Sequence, residues 1–179
     1  MVATDSHSRS ETGPPLILTV AFDGATFARL DGLRRRYFPP ERNVVPAHLT
    51  LFHALPGEEA GTIRRELAEI CRQQKPFDLE ATGLRSLGRG VAVAFSSPEL
   101  VRLRQALARE WRDWLTAQDS AKIAPHVTVQ NKVAPDTARA TLAELGAEFR
   151  PFTARAEGLN LWRYLGGPWQ VEKAFRFGQ

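Results

Sequence analysis

The sequence has little cysteine and no long apolar run, and each shortage excludes a class of protein. Its 179 residues contain a single cysteine, Cys71, which rules out a disulfide framework and a cysteine-based zinc site and favours a reducing compartment. The apolar stretches are far shorter than the roughly 20 residues of a membrane-spanning helix. Residues 1–13 are polar and lack the segments of a signal peptide. We therefore expect a disordered tail at 1–13 and a cytoplasmic protein without a membrane partner.

Lysine is also scarce, so the positive charge of the chain is carried by arginine. There are 20 arginines and four lysines, and the net charge is +4. The planar guanidinium suits bidentate contacts to phosphate, although most arginines of any protein are solvated surface residues. The run 34–36 either meets an RNA backbone or, at a helix end, offsets the helix dipole. The charge is compatible with an anionic substrate without requiring one.

Two short motifs stand out against this background. His48-x-Thr50 and His126-x-Thr128 lie 78 positions apart, and each is flanked by aliphatic residues. On a β-strand, side chains at i and i+2 share a face, so each motif is predicted to present one imidazole and one hydroxyl together and to bury its aliphatic neighbours. The alternative interpretation, two structural strand histidines, does not explain why both motifs look alike.

The likeness extends beyond the motifs. Residues 76–84 and 151–159 share the pattern Pro-Phe-x-x-x-Ala-x-Gly-Leu at an offset of 75, close to that of the motifs. Two stretches with nearly one offset indicate an internal duplication. Two repeats are too few for a solenoid, so we expect them to pack as lobes about a pseudo-two-fold axis, with His48 facing His126 across a cleft.

Hydrophobic periodicity supplies the remaining elements. It predicts strands at 16–22, 77–87, 91–95, 152–164 and 169–177 besides the motif strands, and helices at 25–36, 57–74, from 98 to about 115, and 136–148. The predicted fold class is α/β (α+β): a bilobal duplicated fold with two pseudo-symmetric lobes, each with a mainly antiparallel sheet, helices on the outside and a central cleft. Residues 14–179 form one bilobal domain, with lobes at about 14–88 and 89–179, and strand exchange between the lobes stays open.

A facing pair of histidines is suited to acid–base chemistry at phosphorus. With an unperturbed pKa of about 6.5, one imidazole can be neutral while the other is protonated. Such a pair can take a proton from an attacking oxygen and return one to a leaving oxygen, which an in-line displacement needs and which requires no metal. The hydroxyls of Thr50 and Thr128 would donate to the non-bridging phosphate oxygens.

The duplicated motifs resemble those of the two-histidine (2H) phosphoesterase superfamily, which contains 2′-5′ RNA ligase-like and cyclic phosphodiesterase proteins. The resemblance implies an enzyme with a bilobal fold, catalytic His48 and His126, phosphate-binding Thr50 and Thr128, and neither a cofactor nor a metal. It also implies that the partners are RNA ends or small nucleotides carrying 2′,3′-cyclic phosphates or 2′-5′ linkages, with 2′-5′ ligation as the reverse reaction.

The chain departs from the family pattern beside each motif. His53 stands where a Phe often follows the first histidine, and Asn131 stands where an Arg often follows the second. If the strand stays regular, Lys132 is in register with His126 and supplies the missing cation. His53 is odd relative to His48, so we predict it on the opposite strand face as a structural histidine. These positions leave the substrate open.

Further candidates for substrate contact are aromatic or basic residues near the predicted cleft. They are Tyr37 and Phe38, which could stack a nucleobase, and Arg163 and Tyr164, which could reach a terminal phosphate. Core packing is the alternative for the first pair. Trp162 and Trp169 are predicted to pack in the core or in a hairpin.

Three functions remain open on this sequence. The favoured one is a metal-independent phosphodiesterase; the second is a non-catalytic module that binds RNA ends or nucleotides in the same cleft; the third is a structural duplicated domain. Binding alone does not need two titratable groups in matched positions, which favours the enzyme. An internally duplicated site needs no second chain, so a monomer is expected.

Overall fold

The computed structural model describes residues 13–179, so the predicted tail lies outside the described residues except for Gly13. The strands of the described part are β1 (Leu16–Phe22), β2 (Thr50–Leu55), β3 (Phe77–Ser86), β4 (Val91–Ser96), β5 (His126–Gln130), β6 (Phe152–Arg163) and β7 (Gln170–Arg176). The helices are α1 (Gly24–Tyr37), α2 (Ala60–Gln73), α3 (Pro98–Glu110), α4 (Ala117–Ser120) and α5 (Pro135–Glu148). None of the described helices is long and apolar enough to cross a membrane.

The order of elements repeats along the chain. A β-α-β-α-β unit runs from β1 to β3 and again from β4 to β6, with the short helix α4 inserted before β5 and β7 added at the end. The helices that open each unit start alike: Asp23 caps α1 by accepting from the amide of Ala25 at 2.9 Å, and Ser97 caps α3 by accepting from Leu100 at 3.2 Å. The duplication predicted from sequence is therefore visible as two equivalent supersecondary units.

The strands form one antiparallel sheet in the order β2-β1-β6-β3-β4-β5, with β7 paired to β6. The strands β1, β2 and β3 of the first unit are equivalent to β4, β5 and β6 of the second. Exchanging each strand for its equivalent gives the same order read backwards, so a pseudo-two-fold axis passes between β6 and β3. The register confirms it: Phe77 pairs with Ala156, and the equivalent residues Phe152 and Ala81 also pair. The last strand of each unit thus pairs with the first strand of the other unit, β6 with β1 and β3 with β4.

The core lies on one face of this sheet and is closed by amphipathic helices. In α2, Ile63, Leu67 and Cys71 recur every fourth residue and are at most 1 % exposed. Burial raises the pKa of the Cys71 thiol to about 12, so this cysteine is a protonated core residue. Trp111 is buried against Phe52, and its indole N–H donates to Glu66 at 2.6 Å.

The boundaries differ from the prediction mainly after α3 and before β2. The helix predicted from 98 to about 115 ends at Glu110, and the apolar stripe continues through a 3₁₀ turn at Arg112–Trp114. The first motif was predicted to lie within a strand, but β2 begins only at Thr50, so His48 stands in the loop two residues ahead of it. His126, in contrast, is the first residue of β5.

Candidate active site

The loop that carries the first motif is held in place by α1. The buried carboxylate of Asp31 accepts a hydrogen bond from the Ala47 amide at 3.0 Å, and the buried Arg34 donates from Nε to the carbonyl of Val45 at 3.0 Å. On its other side, the loop joins the sheet through the Leu49 carbonyl, which accepts from the amide of Val20 in β1 at 3.0 Å. The backbone before His48 is therefore anchored from two directions.

Both motif histidines make the same local hydrogen bond. Nδ1 of His48 lies 2.8 Å from the carbonyl oxygen of Pro46, and Nδ1 of His126 lies 2.8 Å from that of Ala124. A carbonyl oxygen only accepts, so Nδ1 must carry the proton in each ring. Each Nε2 is then left free to accept or donate a proton.

The side chains of each motif alternate between the two sides of the backbone. The two histidines and the two threonines are partly exposed. The intervening aliphatic residues are at most 1 % exposed, namely Leu49, Leu51, Val127 and Val129. Each motif thus presents its imidazole and hydroxyl on one side and anchors itself in the core with the other.

One cleft contains residues of both motifs. A cavity of about 260 Å³ is lined by Thr50 from the first motif and His126 from the second, together with His53. In β4, Ala94 pairs with His126 and Ala92 pairs with Thr128. The duplicated units therefore bring the two motifs into the same region of the molecule.

The electrostatics of the site favour the neutral form of His48. Burial, helped by the nearby charges of Arg34, His126 and His53 and opposed by the hydrogen bond to Pro46, lowers the pKa of His48 to about 4. The indole ring of Trp169 contributes to this burial, since its centroid lies 4.5 Å from that of the His48 ring. His48 is therefore a neutral imidazole at neutral pH, the form that a general base requires.

A single guanidinium connects the two motifs. Arg34 donates from Nη1 to the carbonyl oxygen of Thr128 at 2.8 Å, and its Nε donates to Asn43 and to Val45 in the loop before His48. The guanidinium also lies 4.0 Å from the centre of the Phe38 ring. The run 34–36 lies in the last turn of α1, as the alternative of offsetting the helix dipole requires, and Arg34 is in addition buried and supports the motifs.

Two of the predicted substrate contacts take other roles in the structure. Phe38 is buried beneath Arg34, so it packs in the core, as the alternative interpretation held, and does not stack on a nucleobase. Tyr37 donates from its hydroxyl to Glu144 of α5 at 3.0 Å, so it joins two helices. Neither side chain lines the cavity that contains Thr50 and His126.

The other predicted contacts also lie away from this cavity. Arg163 forms an ion pair with Glu172 of β7, and the neighbouring Tyr164 is 42 % exposed and carries no side-chain hydrogen bond to a described residue. The register argument for Lys132 was wrong, because β5 ends at Gln130 and Lys132 adopts a left-handed backbone with φ 63°. The regular alternation that would have aligned Lys132 with His126 stops before it.

The prediction that His53 lies on the opposite strand face was wrong for a related reason. The pairing of β1 with β2 shifts between Leu18–Phe52 and Thr19–Thr50, so β2 contains a bulge at Leu51. Leu51 and Phe52 are consequently both buried, and His53 returns to the cleft side, where it lines the cavity beside Thr50. A β-bulge is invisible to a period-two pattern.

Sequence reasoning missed several residues of the cleft. Trp169 was predicted only to pack, yet it covers His48. Arg85, Arg104 and Lys122 line the cavity with His126, and no motif marked them. One indirect indication that this part of the cleft is unusual was present in the sequence, namely the departure from the family pattern at His53. Among residues 13–179, no cluster of three or more His, Cys, Asp or Glu side chains is arranged to hold a metal ion.

The comparison with family models decides the family. The model of the 2′-5′ RNA ligase superfamily matches residues 22–168, which is most of the chain. The chain belongs to this superfamily of 2H phosphoesterases. Membership supports a phosphodiesterase-type activity for the protein. No curated protein sequence matches the chain significantly.

Solved structures confirm the fold. TT0787 of Thermus thermophilus superposes with a TM-score of 0.66 at 18% identity, covering 92% of this chain and 98% of that one. The Escherichia coli protein LigT, crystallised with 3′-AMP, superposes with a TM-score of 0.59 at 19% identity, covering 93% and 99%. The predicted α+β architecture with duplicated lobes is therefore confirmed.

Proposed function

We propose that the protein is a metal-independent phosphodiesterase that acts on 2′,3′-cyclic phosphates or 2′-5′ linkages of RNA ends or small nucleotides, with His48 and His126 as its catalytic pair. The observation that carries this proposal is the matched pair of hydrogen bonds from Nδ1 of each histidine to a carbonyl two residues upstream. Both Nε2 atoms are thereby left available for proton transfer. The bound 3′-AMP of the similar protein LigT fits a nucleotide substrate.

The proton transfers follow from the state of His48. The neutral His48 accepts a proton at Nε2 from the attacking water as its oxygen bonds to phosphorus. The bond from phosphorus to the leaving ribose oxygen breaks, and His126 in its protonated form gives that oxygen a proton from Nε2. Thr50 and Thr128 donate their hydroxyls to the non-bridging oxygens, where negative charge accumulates in the transition state. When a ribose hydroxyl replaces water, the same steps join two ends.

Both motifs come from one chain, so the catalytic unit is a monomer.

The experiment measures hydrolysis of 2′,3′-cyclic AMP, of an RNA ending in a cyclic phosphate, and of a 2′-5′-linked dinucleotide by the full-length protein in EDTA. We expect His48→Gln and His126→Gln to lose a factor of about 10² to 10⁴ in turnover, the usual size of a general acid or base contribution. His7→Gln, in the predicted tail, is the matched control.

Two outcomes would overturn the proposal. Equal turnover by the wild type and both histidine variants would remove the catalytic pair. A nucleotide that binds tightly, is recovered unchanged, and still binds after the loss of either imidazole would favour the non-catalytic binding module instead.

A further inference from the structure

The cavity beside the motifs carries more positive charge than the proposed catalysis uses. Its lining includes Arg85, Arg104 and Lys122, against a single carboxylate, that of Asp119. Neither Arg85 nor Lys122 forms an ion pair with a residue in the described range, and both side chains are exposed. Exposed cations that converge on a cleft without anionic partners attract an anionic ligand.

Within residues 13–179, the Asp119 carboxylate forms no ion pair with Arg85, Arg104 or Lys122, and its single negative charge offsets only part of their three positive charges. The carboxylate oxygens accept hydrogen bonds from the backbone amide of His53 at 2.9 Å and of Ala54 at 3.0 Å, and from Nδ1 of His53 at 2.9 Å. Burial raises the pKa of Asp119, but these hydrogen bonds outweigh it, and the pKa lies below its usual value. The carboxylate therefore stays ionised and orients His53, whose Nε2 is left free at the cavity.

Arg104 is the buried cation of this cluster. Its side chain is 6 % exposed, it donates from Nη2 to the carbonyl of Asp119, and its Nε is buried without a hydrogen-bond partner among residues 13–179. The guanidinium also lies 4.7 Å from the centre of the Phe52 ring. A buried guanidinium with an unused donor, at the wall of a cavity, is suited to a charge-assisted hydrogen bond with phosphate.

Arg85 connects this cluster to the second motif. It stands opposite Ala92, and Ala92 stands opposite Thr128, so Arg85 and Thr128 share one face of the sheet two strands apart. Two strand spacings are about 10 Å, which leaves room for a second phosphate beside the one that the threonines would hold.

We propose that His53, Arg85, Arg104 and Lys122 form a second phosphate subsite, which selects nucleotides that carry a phosphate besides the reacting one. The inference rests on the proposed function and names its substrate class: an RNA end with an internal phosphate, or a nucleoside bisphosphate, is preferred to a nucleoside with a single phosphate.

A larger cavity is adjacent to this subsite. It has a volume of about 650 Å³ and shares Arg104 and Lys122 with the cleft. Its wall includes apolar side chains from α3 and from the segment that precedes β5, namely Val101, Ala108, Leu115 and Ile123. A substrate whose second phosphate lies on Arg104 and Lys122 has space here for the nucleoside beyond it.

The subsite is tested by binding, which does not depend on turnover. Calorimetry compares adenosine 3′,5′-bisphosphate with 3′-AMP for the full-length protein. We expect the bisphosphate to bind at least about tenfold more tightly, and this ratio to fall to near one in the double variant Arg85→Ala/Lys122→Ala. The exposed Arg65 and Lys75 lie outside the cavity, so Arg65→Ala/Lys75→Ala is the matched control and keeps the ratio. Equal affinities in the wild type, or a ratio that survives in the double cavity variant, would overturn the subsite.

Hydrolysis of 2′,3′-cyclic AMP separates this inference from the proposed function. Turnover without a preference for the bisphosphate removes the subsite and keeps the function. A preference without turnover of any cyclic or 2′-5′ substrate removes the proposed function and supports the subsite. Since Arg85 and Lys122 are exposed, their replacement leaves the fold intact, which circular dichroism verifies.

Discussion

The guanidinium of Arg34 in α1 donates a hydrogen bond to the carbonyl oxygen of Thr128 in β5 at 2.8 Å. The same side chain donates to Val45 in the loop before His48. A residue of the first unit thus sets the distance between the two motifs, although it contacts neither imidazole. The relative position of the two motifs therefore depends on the hydrogen bonds of Arg34 as well as on the pairing of the strands.

The first prediction concerns Arg34. We expect Arg34→Met to lower the free energy of unfolding by about 2 to 4 kcal/mol, because it removes the donor from the buried carbonyl of Val45 and from the partly buried carbonyl of Thr128. Urea denaturation measures the change. Arg65→Met, at an exposed helical arginine, should change it by less than about 0.5 kcal/mol. A loss of similar size in both variants would mean that the buried hydrogen bonds contribute nothing specific.

The second prediction separates the two threonine hydroxyls from their methyl groups. Thr50→Val and Thr128→Val keep the shape and the strand propensity but remove the donor, so kcat/KM should fall by about 10²-fold in each with the fold unchanged. Steady-state kinetics with a cyclic mononucleotide checks this. Thr153→Val, on an exposed part of β6, should keep full activity. A threonine whose replacement leaves kcat/KM unaltered does not bind the reacting phosphate.

The third prediction is the acid limb of the pH profile. A base with a pKa of about 4 stays neutral down to that pH, so kcat/KM should rise with pH through about 4 rather than through the usual histidine range. Trp169→Ala exposes the His48 ring to water and should move this limb upward, toward 6.5, by about one unit. Histidine resonances in NMR titrations give the same pKa directly, with His48→Gln as the assignment control. A limb unmoved by Trp169→Ala would contradict this role of the indole.

The fourth prediction is a stability change in the same pH range. The unfolded chain takes up a proton on His48 as the pH falls below 6.5, whereas the folded protein does so only near 4. The contribution of neutral His48 to the free energy of unfolding is therefore fully present above pH 6.5 and declines as the pH falls from 6.5 toward 4. In His48→Gln this decline should be shallower in urea titrations at pH 7, 5.5 and 4.5. The lowered pKa of Asp119 acts outside this window, because its contribution is fully present above its usual value of 3.8 and is lost below it. Parallel declines in both proteins would assign the effect to other groups.

Much of the fold was predictable because it depends on local patterns. The strand predicted at 16–22 has those bounds in the structure, and the repeat at 76–84 and 151–159 became the paired strands β3 and β6. The burial of Leu49 and Val127 followed from alternation alone. These features survive because core-facing side chains set both the sequence pattern and the packing.

The errors arose where the backbone left its regular form. The bulge at Leu51 turned His53 into the cleft, and the left-handed turn at Lys132 removed that residue from the strand register. A period-two pattern assumes a regular strand, so it predicts neither feature. One added residue in a bulge moves every side chain that follows it to the other face. The side chains of Phe38 and Arg163, predicted as substrate contacts, instead pair with residues nearby in the chain, Arg34 and Glu172.

By itself, the sequence determined the architecture of this protein and the residues of its proposed chemistry: two histidines and two threonines in a duplicated chain of alternating strands and helices. The tertiary structure decided what surrounds them. Contacts between residues distant in the chain, such as Trp169 over His48 and Asp119 beneath His53, set the burial and the hydrogen bonds of the cleft. Burial and hydrogen bonds shift the pKa of a side chain and orient charged groups, and both depend on distances in space rather than on spacing along the chain.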